Sequence, residues 1–134
     1  MELQVGVKIL LKNKENEYLV LFRNNYKPQA GVYWDIPGGI INVGFSLLEN
    51  LKREVMEETG LEIKDEIKLI CAQDILNKYK DKHVVRLTYV GFADGNVKLS
   101  HEHTEYKWLT LKEILSLDSI DQFLKETLTK FKIE

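Results

Sequence analysis

The sequence predicts a single layered domain of the α/β or α+β class, in which a β-sheet packs against helices. Apolar and polar residues alternate from residue 3 to residue 11, which is typical of a strand with one buried face. Further strand patterns precede and follow one capped helix at 46–60, and the chain ends in helical patterns. This order of strands and helices favours a sheet covered by helices.

The strands differ in which faces are expected to be buried. The apolar positions of the first strand are Leu3, Val5, Val7, Ile9 and Leu11. The second strand, at 18–22, is apolar on both faces, so we expect it to be central. After it, Pro28 and Gly31 predict a loop at 24–32. A third strand is predicted at 67–73 and a fourth at 84–93. One face of the third strand carries Ile67, Leu69, Cys71 and Gln73.

The helix at 46–60 carries signals at both of its ends. Ser46 and Glu49 predict a capping box, in which each side chain accepts a hydrogen bond from the backbone N–H of the other residue. Gly60 predicts a left-handed C-terminal cap. The expected buried stripe consists of Leu48, Leu51 and Val55.

Two shorter helices are predicted at the end of the chain. Thr110 with Glu113 forms a second capping box, which begins a helix that runs through residue 115. Asp118 is the predicted N-cap of the last helix. The apolar stripe of that helix comprises Ile120, Phe123, Leu124, Leu128 and Phe131, and it indicates core packing.

Composition excludes several classes of function. A chain of 134 residues with 44% hydrophobic content suits one globular domain, residues 1–134. The net charge of −2 offers no broad basic surface for duplex nucleic acid or an anionic membrane. Cys71 is the only cysteine, which fits the reducing cytoplasm, and no apolar run approaches the length of a membrane span. Both a monomer and a homodimer are compatible with the sequence.

Ordinary helix design does not explain three acids on the helix at 46–60. Glu54, Glu57 and Glu58 are spaced so that their carboxylates project from about the same side. Like charges about 6 Å apart repel by roughly 1–3 kcal/mol, and Arg53 relieves only part of this by pairing with Glu57. Oxygen ligands without neighbouring His or Cys suit Mg²⁺ or Mn²⁺ better than zinc. The acids therefore predict a site for a hard divalent cation.

These residues resemble the Nudix box, whose pattern is G, five residues, E, seven residues, R-E-U-x-E-E-x-G-U, with U aliphatic. Eight of the nine fixed positions are filled, by Gly39, Arg53, Glu54, Val55, Glu57, Glu58, Gly60 and Leu61. The preceding segment 34–39, WDIPGG, is similar to the W-x-x-P-G-G of the family. The resemblance covers nearly the whole chain. It implies a Nudix fold, a mixed β-sheet between helices, and Mg²⁺-dependent hydrolysis of a nucleoside diphosphate linked to another moiety.

The resemblance also assigns roles within the box. It implies that Glu57 and Glu58 are the principal metal ligands, joined by Glu54 and the carbonyl of Gly38. The ninth fixed position departs from the pattern, because Phe45 stands where the family has its first Glu. That Glu commonly pairs with the box Arg, so Arg53 must find another partner. We therefore expect the departure to weaken metal binding and to leave activity in place.

A second informative segment is HEHTEYKWL, at 101–109. It resembles the family's acidic loop before a strand that ends in Trp, which implies that Glu102 or Glu105 ligates a further Mg²⁺ or accepts the proton of the attacking water. The general base is thus Glu54, Glu102 or Glu105. Two His flanking Glu102 also suggest zinc, but the HExxH helix pattern is missing and only one further His exists, which disfavours it.

Three residues are candidates for contact with the substrate. Arg23 follows the second strand, where relatives often contact phosphates, and a solvated strand-end Arg is an equal alternative. Trp34 is more typical of a core residue than of a platform for a base. Tyr79 lies about where the family's dinucleoside polyphosphate hydrolases carry a Tyr.

The expected function is hydrolysis of a phosphoanhydride bond in a nucleoside triphosphate or a related nucleotide, which is the expected small-molecule partner. A dinucleoside polyphosphate is an alternative substrate. A nucleotide-binding module with weakened catalysis is the alternative from another class, and it is disfavoured because such domains usually lose the box acids, which are present here.

Overall fold

The computed structural model describes residues 1–24 and 32–133, with seven strands and three helices among them. The predicted loop at 24–32, with Pro28 and Gly31, lies from residue 25 to residue 31 outside the described residues. The elements are β1 (Glu2–Lys12), β2 (Tyr18–Asn24), β3 (Val32–Asp35), β4 (Gly38–Ile40), α1 (Leu47–Thr59), β5 (Lys64–Asn77), β6 (Lys82–Phe92), β7 (His103–Leu109), α2 (Leu111–Leu115) and α3 (Gln122–Lys130). In the described part of the chain, no helix has the length and apolar character needed to cross a membrane.

The strands form one mixed sheet around β1. The sheet order is β3-β2-β1-β6-β5, and β4 pairs with β1 while β7 pairs with β2. β1 and β6 run parallel along their full lengths, from the pair Glu2–Lys82 to the pair Lys12–Phe92. The other pairings are antiparallel. The short strand β4 therefore lies directly against the middle of β1.

Helices cover both faces of the sheet, which confirms the predicted layered class. On one face, Leu51 and Val55 of α1 pack on the odd-numbered apolar residues of β1, Val7, Ile9 and Leu11. On the other face, Ile114 of α2 and Leu124 of α3 pack against a second core around Leu10, Tyr18, Val20, Trp34 and Ile36. Both β1 and β2 contribute residues to the two cores. The prediction that the second strand is buried on both of its faces is therefore confirmed.

Several local predictions need correction. Leu48 is 39% exposed and does not belong to the buried stripe of α1, which consists of Leu51 and Val55. Leu69 is exposed, because the pairing of β5 with β6 shifts register between Leu69 and Cys71. Such a bulge inserts an extra residue and reverses the face on which the preceding side chains lie. Cys71 is buried, as expected of a core thiol.

The helix ends are mostly as predicted. Ser46 caps α1 by accepting a hydrogen bond from the Glu49 backbone N–H, and Gly60 adopts a left-handed conformation with φ +72°. Both hydrogen bonds of the Thr110 and Glu113 capping box are present in α2.

The prediction that Asp118 is the N-cap of the last helix is wrong. Asp121 occupies that position and accepts hydrogen bonds from the backbone N–H groups of Phe123 and Leu124.

Four charged side chains join β1, β3, β6 and α3 on the second face of the sheet. The buried Asp35 carboxylate accepts two hydrogen bonds from Arg86, at 3.0 and 3.2 Å, and lies 3.2 Å from Lys8 Nζ. Arg86 also pairs with Asp121 at 3.3 Å. Burial alone would raise the pKa of Asp35, but the charges of Lys8 and Arg86 and the hydrogen bonds lower it to about 2. Asp35 is therefore ionised in the folded protein at all but the lowest pH.

Asp35 predicts a specific loss of stability in acid. Because its folded-state pKa lies below the ordinary value of 3.8, the stabilisation is complete above about pH 4 and is lost as the pH falls toward 2. We expect this component to be roughly 2 kcal/mol in the free energy of unfolding, as measured by urea denaturation between pH 5 and pH 2. Asp35→Asn should lack it. The variant should also be less stable at neutral pH, by about 3–5 kcal/mol, because Lys8 and Arg86 lose their buried partner.

Asp118→Asn is the matched control, since Asp118 is exposed and caps no helix. It should follow the parent at every pH. Parallel pH profiles for the parent and Asp35→Asn would contradict this role for Asp35.

Candidate active site

The site is built where β4 crosses the end of α1. The register of β4 on β1 brings Gly38 opposite Lys8, and a Cβ at position 38 would lie only 1.9 Å from the Val7 carbonyl oxygen. Gly38 also has φ +143°, a conformation that side-chain-bearing residues rarely adopt. Glycine at position 38 thereby lets the backbone of β4 approach β1 closely. The Gly38 N–H donates a 2.8 Å hydrogen bond to Glu58 Oε1.

Glu58 is a buried acid in the last turn of α1. Its side chain is 9% exposed, and burial is the main reason that its pKa rises to about 7. The charge of Lys8 and the Gly38 hydrogen bond act in the opposite direction, whereas the neighbouring Glu54 and Glu102 raise the pKa further. The fold thus buries the carboxyl group of Glu58 away from solvent and next to the acidic side chains of Glu54 and Glu102.

The other two box acids lie in different surroundings. Glu54 packs against the backbone of β4, because a Cβ at Gly39 would lie 2.7 Å from Glu54 Oε2. Glu57 is 59% exposed at its side chain. Arg53 Nη1 bridges the two, at 3.0 Å from Glu54 and 3.4 Å from Glu57. The predicted pairing of Arg53 with Glu57 is present, and Glu54 supplies the further partner that Arg53 requires.

Asn50 is a structural residue of the site that the sequence did not single out. It is 1% exposed and accepts a hydrogen bond from the Asn42 backbone N–H at 2.7 Å. Its amide nitrogen donates to the carbonyls of Phe45 and Ser46, and its oxygen accepts from Arg53. Asn50 therefore fixes the loop at 42–46 on α1. The signal in the sequence is a polar residue next to the apolar stripe of the helix.

The start of β7 completes the site from a distant part of the chain. The segment after β6 follows the end of α1, with backbone hydrogen bonds from Lys98 to Thr59 and from Ser100 to Glu58. It brings Glu102 and His103 to Glu58, so that one ligand atom of each residue lies within 4.8 Å of the others. In the chain as described, this is the only group of three such side chains that meets this distance. It differs from the predicted set of Glu54, Glu57 and Glu58, which stays a prediction.

His103 enters the site as an uncharged ring. Burial, together with the charges of Lys8 and Arg23, lowers its pKa to about 4, against the smaller opposing effects of Glu102 and Asp35. Its Nε2 lies 4.0 Å from Glu58 Oε2.

The remaining predicted site residues are spread more widely. Arg23 is exposed at the end of β2, and Tyr79 is fully exposed in the turn between β5 and β6. Trp34 is a buried core residue, with its ring 4.9 Å from that of Phe22. Lys107 Nζ lies 5.2 Å from the Trp34 ring. Glu105 is exposed in β7 opposite Phe22 and is not part of the group around Glu58.

A cavity of about 580 Å³ extends from β4 to the N-terminus of α3. Gly38 and Gly39 of β4 contribute to its wall, as does Asn77, the last residue of β5. The basic residues that line it are Lys8, Arg23, Lys80, Lys82 and Arg86. Sequence reasoning did not single out Lys8 or Arg86, because nothing local to them shows that β1 and β6 are neighbours. The acids Asp35 and Asp121 also line the cavity, so the lining keeps a net positive charge that suits an anionic ligand.

The donor set fits a divalent cation. Glu54 and Glu58 lie at the backbone of β4, and Glu102 faces Glu58. Carboxylate oxygens are the preferred ligands of Mg²⁺ and Mn²⁺, and the like charges around Glu58 favour a cation in place of a proton. The acidic end of the site thus adjoins the basic cavity.

The chain is similar to several known proteins. The asymmetrical bis(5'-nucleosyl)-tetraphosphatase of Rattus norvegicus is 36% identical over 100 residues, which cover 72% of this chain and 67% of the relative. The Mus musculus protein of the same name is 33% identical over 123 residues, covering 88% and 80%. The crystal structure of a MutT protein from Methanosarcina mazei Go1 has a TM-score of 0.79 at 30% identity, covering 96% of this chain and 92% of that chain.

The match to a family model extends over nearly the whole chain. The model of the NUDIX domain matches residues 2–131, which include β1, the box helix α1 and the terminal helices. The chain therefore belongs to the Nudix hydrolase family.

Proposed function

We propose that this protein is a Mg²⁺-dependent pyrophosphohydrolase that splits a phosphoanhydride bond of a nucleotide. The observation that carries the proposal is the position of Glu58, which is held by the Gly38 N–H at the junction of an acidic cluster and a basic cavity. A polyphosphate chain placed there meets Lys8 and Arg86 on one side and the carboxylates on the other. This division of charge suits a substrate that arrives with bound cations.

The chain's own residues then have distinct tasks. Glu57 and Glu58, with Glu54 and the Gly38 carbonyl, are the proposed metal ligands, and Arg53 orients Glu54 and Glu57. When bound there, Mg²⁺ neutralises phosphate charge and lowers the pKa of water. Water attacks phosphorus, the bridging P–O bond breaks, and the leaving phosphate keeps the electron pair. The water proton passes to a carboxylate.

Glu54 and Glu102 are the better candidates for that proton acceptor. Glu54 lies against Gly39 and Glu102 lies beside Glu58, whereas Glu105 is not part of the group around Glu58. A general base must come within hydrogen-bonding reach of the attacking water. We therefore infer that Glu105 does not act as the base.

A dinucleoside polyphosphate is the substrate that we favour over a nucleoside triphosphate. Tyr79 is fully exposed and is next in sequence to Lys80, which lines the cavity together with Lys82. An exposed aromatic ring next to basic residues suits a second nucleoside at the far end of a long phosphate chain. The names of the rat and mouse relatives agree with this choice. A cytoplasmic location fits such a substrate.

Glu58→Gln tests the proposed site. The substitution keeps a hydrogen-bond acceptor for Gly38 and removes a charge that burial disfavours, so without metal the variant should melt no lower than the parent. With Mg²⁺ the parent should gain thermal stability by binding to the folded state, and the variant should gain less. Turnover of the nucleotide should fall by about 10²-fold or more.

Glu66→Gln is the control for this experiment, because Glu66 is an exposed acid in β5 outside the box. It should change neither turnover nor the effect of Mg²⁺. Near-parental turnover of Glu58→Gln at saturating Mg²⁺ would remove Glu58 from the proposed site. A chain that binds nucleotide and Mg²⁺ without hydrolysis would instead be the binding module.

A substrate panel with Tyr79 variants tests the choice of nucleotide. We expect kcat/KM to be highest for dinucleoside tetraphosphates, and Tyr79→Ala to raise the KM for them by about tenfold, as expected for the loss of one stacked base. Tyr79→Phe should retain the parental KM because it keeps the ring. The KM for nucleoside triphosphates should change little in both variants. Higher kcat/KM for nucleoside triphosphates would reverse our choice.

Phe45→Glu tests the departure from the box pattern. The side chain of Phe45 is 61% exposed, and its carbonyl, not its ring, bonds to Asn50. The free energy of unfolding should therefore change by no more than about 0.5 kcal/mol. An added carboxylate next to the acidic cluster should lower the Mg²⁺ concentration for half-maximal rate. An unchanged or higher Mg²⁺ requirement would show that the missing Glu has no bearing on metal binding.

A further inference from the structure

His103 is a buried imidazole without a hydrogen-bonding partner. Its side chain is 9% exposed, and Nδ1 is buried with no hydrogen bond to the described residues. Nε2 lies 4.0 Å from Glu58 Oε2, which is beyond hydrogen-bonding distance. Buried polar atoms in proteins nearly always have a partner, so an unpaired ring beside a carboxylate calls for a specific explanation.

The other histidines of the chain show the contrast. The sequence has three His, and all of them lie in the described part of the chain. His83 Nε2 lies 2.7 Å from Asp74 Oδ1 near the surface, and His101 is exposed to solvent. Only His103 is both buried and placed among acids at the proposed active site.

We propose that His103 is a metal ligand and that, with Glu58 and Glu102, it forms a mixed nitrogen and oxygen site, which prefers a borderline first-row cation such as Co²⁺ and also accepts the harder Mn²⁺. This inference rests on the proposed function in placing a cation at Glu58. The three ligand atoms lie within 4.8 Å of one another. Ligand bonds of about 2.1 Å span about 4 Å across one ion, so a small approach of the side chains completes the set.

The chain holds these ligands from both sides of the site. Glu58 is fixed by the Gly38 N–H, and the backbone N–H of Ser100 donates to the Glu58 carbonyl at 3.3 Å. The backbone N–H of His103 donates in turn to the Ser100 carbonyl, at 3.3 Å. The histidine is thus tied through one residue to the helix turn that carries the acid. A preorganised pair of this kind binds a cation with little loss of side-chain freedom.

An imidazole ligand changes which cations the site prefers. Mg²⁺ is a hard ion that binds oxygen ligands and retains several waters. Affinity of nitrogen-containing sites rises from Mn²⁺ to Co²⁺ and beyond, so His103 adds more to the binding of Co²⁺ than to that of Mg²⁺. The site therefore accepts Mg²⁺ through its carboxylates and distinguishes other metals through His103.

Metal binding to the full chain without nucleotide tests this role. Protein freed of metal with EDTA is loaded with Mn²⁺, and electron spin-echo modulation should show coupling to ¹⁴N of a bound imidazole. His103→Gln should abolish this coupling and weaken Co²⁺ binding by about tenfold or more in calorimetric titration. Its Mg²⁺ affinity should change less. His101→Gln, from the same segment, is the matched control and should keep both the coupling and the Co²⁺ affinity.

Absence of ¹⁴N coupling in the parent, or its persistence in His103→Gln, would overturn the proposal. Thermal melting in EDTA checks that His103→Gln is folded, and His103→Asn takes its place in the same measurement if it is not. Hydrolysis with Mg²⁺, measured in parallel, separates the two proposals. Hydrolysis without ¹⁴N coupling refutes the role of His103 alone, whereas ¹⁴N coupling without hydrolysis refutes the proposed function and leaves the metal ligand in place.

Discussion

The hydrogen bond from the Gly38 N–H to Glu58 joins the two halves of the active site, and much of the local structure serves to make it. The carboxylate is buried, it lies near other acids, and it stands in the last turn of α1, where the helix dipole disfavours negative charge. The single hydrogen bond from the Gly38 N–H does not offset the combined cost of burial, neighbouring acids and the helix dipole. In the proposed site a cation supplies the balance, and this is the reason we offer for an acid at a position that is unfavourable for stability.

The acidic and the basic side chains of the site come from different elements of the fold. The carboxylates come from α1 and the start of β7, whereas Lys8 and Arg86 project from the neighbouring parallel strands β1 and β6. Asp35 lies between the two cations and neutralises part of their charge, so that both remain stable in a buried place. The polyphosphate substrate that we propose would span this gradient of charge along the cavity, and the gradient would set its orientation.

The wrong predictions for Leu48, Leu69 and Asp118 each have a local physical cause. Leu48 has the helical spacing of a buried residue, but it lies in the first turn of α1 and is exposed at this end of the helix. Leu69 changes face because of a bulge, which alternation alone does not reveal. Asp118 and Asp121 are equally good N-caps by residue type. Asp121 is selected because its backbone N–H bonds to the Trp34 carbonyl, which fixes where α3 begins.

The sequence by itself determined the features that depend on neighbours along the chain. The caps of α1 and α2, the alternation of β1, the family and the box acids all follow from spacings of a few residues, because local backbone geometry sets them. Only the tertiary structure decided which of these groups meet. Glu58 faces Glu102 and His103, and Asp35 faces Lys8 and Arg86, because strand pairing and the packing of α1 bring together segments that are far apart in sequence. No local pattern encodes such pairings, since they depend on how the whole hydrophobic core is buried.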